Sequence, residues 1–173
     1  KRPARGGAAA GPDDPPSAPE PAALDEQPGQ LIRRAQQIAV AIFLEECAGS
    51  GLTPVQHAAL LAVGDNPGAD ATRISGIVGL DRTTISGVLE RMEAKGLIAR
   101  TENARDRRAK LLEATAKGRK LLRRLEPQVA AAQQRILGPL SAAERAQLMG
   151  LLGKLVALNN DASRAPRRAA GEA

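Results

Sequence analysis

The sequence predicts a mainly α fold with a small β-hairpin wing, a winged helix-turn-helix, and three observations lead there. Two short amphipathic segments, ATRISGIVGL and DRTTISGVLERMEAKG, meet across a Gly-Leu turn. A charged hairpin pattern, LIARTENARDRRAKLLEAT, follows at once. Charge is also concentrated, since Arg73 to Lys120 holds twelve Lys/Arg against six Asp/Glu, whereas the rest of the chain holds thirteen of each. The whole net charge of +6 therefore falls on the predicted reading head. A basic segment in a neutral body is the electrostatic footprint of a nucleic-acid binder.

In chain order, residues 1–27 are Pro, Ala and Gly with scattered charges and no apolar periodicity. Such a composition buries too little surface to fold alone, so a disordered arm is expected, either a solvated tail or one whose Lys1, Arg2 and Arg5 touch phosphate. A helix starts near Pro28, with Leu31, Ile32, Ala35, Ile38, Ala39, Ile42 and Phe43 recurring at three and four, and ends by Gly49 or Gly51. Thr53-Pro54-Val55-Gln56 reads as an N-cap, a first-turn proline and an N3 glutamine that reaches back to the cap. The helix it opens runs to the Gly64-Asp65-Asn66-Pro67-Gly68 turn.

Asp70 is placed to cap a third helix that buries Ile74, Ile77 and Val78 and closes at Gly79. Asp81 caps the fourth, whose inward stripe is Ile85, Val88, Leu89 and Met92. After Gly96, Leu97-Ile98-Ala99 lead into a strand, residues 103–108 form a polar loop, and Lys110-Leu111-Leu112 return as its partner. Thr115 caps a long fifth helix with Leu121, Leu122, Leu125, Val129, Ala132, Ile136 and Leu137, bent at Pro127. Ser141-Ala142-Ala143-Glu144 is a second capping box, before a helix with an apolar edge of Leu148, Leu151, Leu152, Leu155 and Leu158. Residues 161–173 are expected to fray as a disordered tail. The winged helix-turn-helix domain thus spans 53–115, and the helical regions 28–52 and 116–160 remain for dimerisation. A leucine edge with no later element to cover it needs the first helix and a second subunit.

In a helix-turn-helix the second helix enters the major groove by its N-terminal turns. That places Arg82, Thr83, Thr84 and Ser86 at base edges and phosphates, with Arg73 and Arg91 alongside. An arginine on guanine O6/N7 is the strongest discriminator available, about 1–3 kcal/mol per bidentate pair. In the wing loop, Asp106 beside Arg105, Arg107 and Arg108 is placed to aim a guanidinium into the minor groove, where negative potential is enhanced.

Other classes fit less well. No run approaches the roughly 18 apolar residues of a membrane span, and the N-terminus lacks the apolar core of a signal peptide, so a cytoplasmic protein is expected. One cysteine, Cys47, excludes an internal disulfide. Phe43 is the single aromatic residue, so base stacking on aromatic platforms is excluded and double-stranded DNA is the expected partner. One His and no Tyr or Trp leave no Ser-His-Asp set, no metal group and no phosphate-cradling Gly-rich loop; neither an enzyme nor a cofactor is expected.

GLTPVQHAALLAV, the run LDRTTISGVLERMEAKGLIAR and the DRR wing followed by Thr115 and Gly118 resemble the MarR family of bacterial transcription regulators, over about Leu31 to Asn159. The resemblance implies a triangular homodimer, its first, fifth and sixth helices interlocked and its two heads on a palindrome. It also implies that Asp106 and Arg108 form the wing pair of the minor groove. Members are commonly released from DNA by small aromatic acids or phenols bound between the dimer helices and the head. The polar residues near that crevice would be Arg33, Arg34, Gln37, His57 and Arg100, although His57 reads equally well as a hydrogen-bonded helix residue without a ligand. LIRRAQQIAVAIFLEECA is similar to the branch that represses nicotinic acid catabolism, whose inducer is 6-hydroxynicotinate.

Two further readings share this fold. Some relatives sense oxidants through a cysteine early in the first helix, beside tyrosines. Cys47 departs from that pattern, near the helix C-terminus, next to Glu45 and Glu46, in a chain without tyrosine. A non-specific architectural DNA binder would carry the same head and charge, and competition binding separates it from a repressor.

Overall fold

The computed structural model describes residues 23–102 and 110–167. Residues up to Ala35 and those from Gln36 onward form two units. In the first, a single 3-10 turn at Leu24–Glu26 precedes the opening turns of α1 (Pro28–Glu46). Leu31 and Ile32 are exposed there, and Arg33 Nε donates to Gln30 Oε1 at 3.0 Å.

The second unit continues α1 and adds α2 (Pro54–Asp65), β1 (Ala69–Asp70), α3 (Ala71–Val78), α4 (Arg82–Ala94), β2 (Ile98–Glu102), β3 (Lys110–Ala114), α5 (Ala116–Ile136) and α6 (Ala142–Leu158). Each expected cap forms. Thr53 Oγ1 accepts from Gln56 N and Gln56 Oε1 from Thr53 N, both at 3.2 Å. Asp70 and Asp81 accept from the third residue of their helices at 2.8 and 2.9 Å. Thr115 and Ser141 do the same for α5 and α6. Gly79 ends α3 at φ 67°, in the left-handed region where a Cβ is penalised. The helix α5 runs without a break through Pro127.

The sheet holds one strand more than the expected hairpin. Antiparallel β2 and β3 pair from Ile98↔Ala114 to Glu102↔Lys110, and the two-residue β1 joins the far edge of β3, with Ala69 opposite Leu112 and Asp70 opposite Leu111. Strand and cap are thus the same residue at Asp70, which enters α3 directly from the sheet and fixes the angle between them.

The core lies where α2, α3 and α4 meet the sheet and the start of α5, with Leu60, Ile74, Ile85, Leu89, Met92, Ile98 and Leu112 fully buried. Gly118 allows α5 to dock. A Cβ there would stand 2.2 Å from Leu97 O and 3.3 Å from Leu60 Cδ1, so only a hydrogen permits the approach. Thr115 pins the same junction, its Oγ1 donating to Gly96 O at 2.8 Å.

By contrast, α6 has no buried residue. Its Leu151, Leu155 and Leu158 are 58%, 45% and 75% exposed. In the last turn of α5, Arg135 pairs with Glu45 at 2.7 Å and Glu46 at 3.0 Å.

Candidate nucleic-acid interface

The first turn of α4 is organised by its cap. Asp81 Oδ1 accepts from Thr84 N at 2.9 Å and Oδ2 from Thr84 Oγ1 at 2.6 Å. These bonds, the side-chain one foremost, hold the Asp81 carboxyl below its ordinary range. The Thr84 proton is therefore committed to the cap, while its oxygen can still accept. Ser86 Oγ likewise donates back to Arg82 O at 2.8 Å. Arg82 and Thr83 are exposed at the helix tip, and among the described residues their side chains make no hydrogen bond or ion pair. Ile85, Val88, Leu89 and Met92 anchor the opposite face at 3% exposure or less, so the tip is presented by a rigid support.

Arg73 is exposed on α3, where its backbone N–H completes the Asp70 cap. Arg91 is exposed two turns into α4, its Nη1 3.5 Å from where a Cβ on Gly87 would stand.

The described part of the wing ends at the ion pair Lys110 Nζ to Glu102 Oε1, 2.9 Å. Lys110, through hydrogen bond and charge, holds the Glu102 carboxyl below its ordinary range. Arg105, Asp106, Arg107 and Arg108 lie outside the described residues.

The residues expected to meet an effector are held differently. Gln37 is exposed on α1, as are Arg33 and Arg34 in the first unit. His57 is half-buried on α2, its ring 5.7 Å from that of Phe43, and burial lowers its pKa so that it is neutral near pH 7. Arg100 Nε pairs with Glu93 Oε2 at 3.0 Å, and among the described residues its Nη2 is buried without a hydrogen-bond partner. The described contacts thus give His57 and Arg100 separate partners. Cys47 is 3% exposed, and burial, then Glu46, push its thiol pKa up, away from reactivity. Among the described residues no group of three His, Cys, Asp or Glu side chains could hold a metal, and no helix is long and apolar enough to cross a membrane.

Comparison with known proteins adds to this geometry. The sequence profile of the MarR family matches residues 50–109. The chain is 31% identical over 133 residues to the HTH-type transcriptional repressor NicR of Pseudomonas putida, an alignment covering 77% of this chain and 84% of that protein. Among solved structures it is similar to BpsR of Bordetella bronchiseptica, whose DNA binding is regulated by 6-hydroxynicotinic acid, at TM-score 0.73 and 35% identity over 78% of this chain and 96% of BpsR. It is similar too to the repressor CouR bound to a 23-mer DNA duplex, at TM-score 0.71 and 34% identity over 77% of this chain and 94% of CouR.

Proposed function

Because the chain belongs to the MarR family of transcription regulators, we propose that it is a cytoplasmic, ligand-responsive repressor that holds a palindromic operator as a homodimer. A small aromatic acid or phenol releases it. The carrying observation is the tip of α4, where Arg82 and Thr83 stand exposed and, among the described residues, unpaired on a helix whose other face is fully anchored. In this reading Arg82, Thr83, Thr84 and Ser86 meet base edges in the major groove, Arg73 and Arg91 neutralise phosphates, and Arg105, Asp106, Arg107 and Arg108 grip the minor groove.

Dimerisation follows from the leucines of α6, whose exposure in one subunit leaves an apolar edge beyond what single surface residues explain. Regions 28–52 and 116–160 form the dimer body, and 53–115 the head. A twofold axis then sets two copies of α4 about one helical turn of DNA apart.

For the effector we propose 6-hydroxynicotinate, with nicotinate degradation as the regulated process, held by Arg33, Arg34, Gln37, His57 and Arg100. The likeness to BpsR supports this reading. So does the neutral His57, which offers one ring nitrogen as donor and the other as acceptor. Nuclease footprinting on the DNA flanking the chain's own gene tests the proposal. A protected palindrome that opens on addition of 6-hydroxynicotinate is expected. Protection unchanged by it, and lost instead to salicylate, would keep the repressor and replace the effector, while absence of any protected site would remove both.

A further inference from the structure

Away from α4's tip, a cleft of about 450 Å³ is lined by Ser50, Lys95, Leu97, Lys117, Lys120, Leu121 and Arg124. None of these is a residue assigned above to DNA or to the aromatic effector. Lys95 is the C-cap of α4, at the opposite end from Arg82 and about 20 Å from it along a helix of this length. Lys117, Lys120, Leu121 and Arg124 recur at three and four, so they share one face of α5.

Four cations on one small concavity repel one another. Among the described residues none pairs with a carboxylate, and α5 has no acidic residue in its first turn, where the helix dipole already favours an anion. Two of the ammoniums are fixed on neutral oxygens instead. Lys95 Nζ donates to Gly51 O, with Gln56 Oε1 3.5 Å away, and Lys117 Nζ donates to Lys95 O at 2.7 Å. Each keeps at least one free donor. Lys120 and Arg124 are exposed and, among the described residues, make no polar contact. The floor is apolar, with Leu97 2% exposed and Leu121 half-buried. Its back wall is rigid, because Gly118 holds α5 against the Leu97 carbonyl.

We propose that this cleft is a second small-molecule site, which takes an organic phosphate carrying at least two negative charges, its apolar part resting on Leu97 and Leu121. The volume falls within the range of roughly 300–1,000 Å³ typical of such sites. Two pre-ordered ammoniums lower the entropy cost of binding, and Lys120 and Arg124 close on the phosphate as it arrives. Because the cleft joins the end of the recognition helix to the start of α5, its occupancy would fix the head against the helix that carries it. The inference does not rest on the aromatic-acid reading.

The test is calorimetric titration of the full chain with inorganic pyrophosphate, at constant ionic strength, beside the double variant Lys120→Ala/Arg124→Ala. Both substituted residues are exposed and, among the described residues, without a polar partner, so the variant should melt within about 2 °C of the parent. Saturable binding that weakens at least tenfold in the variant, with 6-hydroxynicotinate binding unchanged, is the expected result. No heat beyond that of matched chloride, or equal binding by the variant, would overturn the proposal. So would loss of 6-hydroxynicotinate binding together with pyrophosphate, which would make the cleft the aromatic-acid pocket. Binding to a random 30-base-pair duplex completes the test: the salt dependence should be unaltered, and a slope smaller by about two would assign these cations to DNA phosphate instead.

Discussion

Leucine behaves in opposite ways at the two ends of the second unit. In the head, Leu60 and Leu89 are fully buried by neighbours from the same chain, and every helix start there is closed by a side chain. In α6, a similar density of leucines at helical spacing leaves Leu151 58% and Leu155 45% exposed, although the helix has an equally good capping box. Local signals are therefore the same in both regions, and what differs is whether the described residues supply the cover. The head is complete as folded. The last helix is left without a buried face among the described residues, and the proposed second subunit would cover it.

The largest effect is expected where the head is densest. Leu89→Ala should cost about 2–5 kcal/mol in urea unfolding, by the same amount at any protein concentration, because its cavity lies within one subunit. A cost that varies with concentration would break the contrast.

Leu151→Asp should instead leave the head folded and dissociate the dimer, since each leucine covered by a partner contributes about 1.5–3 kcal/mol. Sedimentation velocity reads the change in mass directly. An unaltered dimer would show that α6 is covered by something else.

Arg82→Ala should leave both stability and dimer mass unchanged while relaxing base preference at one symmetric position per half-site, by about 1–3 kcal/mol. Uniform weakening across sequences would turn Arg82 into a phosphate contact.

Thr53→Ala removes half of the α2 capping box and should cost about 1 kcal/mol, read as a lower melting temperature in a head that still binds DNA.

The smallest effect is set by pH. Burial lowers the pKa of His57 in the folded chain, so below its ordinary value near 6.5 the unfolded chain takes up the proton first. Stability present above that value should be lost as pH falls toward the folded pKa, and His57→Gln should flatten the profile. A parent whose stability rises through the same window would contradict the burial of His57 against Phe43.

Much of the head was legible because its signals are local. Thr53, Asp70, Asp81, Thr115 and Ser141 cap their helices as their side chains and neighbours dictate, and Gly79 takes the left-handed turn that only glycine adopts freely. The strand β1 was not legible. Two residues carry no periodicity, and their pairing with Leu111 and Leu112 is decided by where α2 sets the chain down. Nor could spacing reveal that Gly118 is required by the Leu97 carbonyl, or that Lys95 reaches back to Gly51, since both contacts join distant segments. In the candidate interface, the exposed arginines and threonines of α4 could be read from the stripe of Ile85, Val88, Leu89 and Met92 opposite them. The diversion of Thr84 and Ser86 hydroxyls into backbone and cap bonds could not, because either rotamer suits the sequence.

Competition binding is the most direct measurement. Labelled duplex carrying the palindrome flanking the chain's own gene, held by the parent protein, is challenged with unlabelled operator and with bulk DNA. A preference for the operator of about 10³ or more, lost when α6 is broken by Leu151→Asp, is the predicted result. Equal displacement by both competitors, or a monomer that retains full preference, would contradict it.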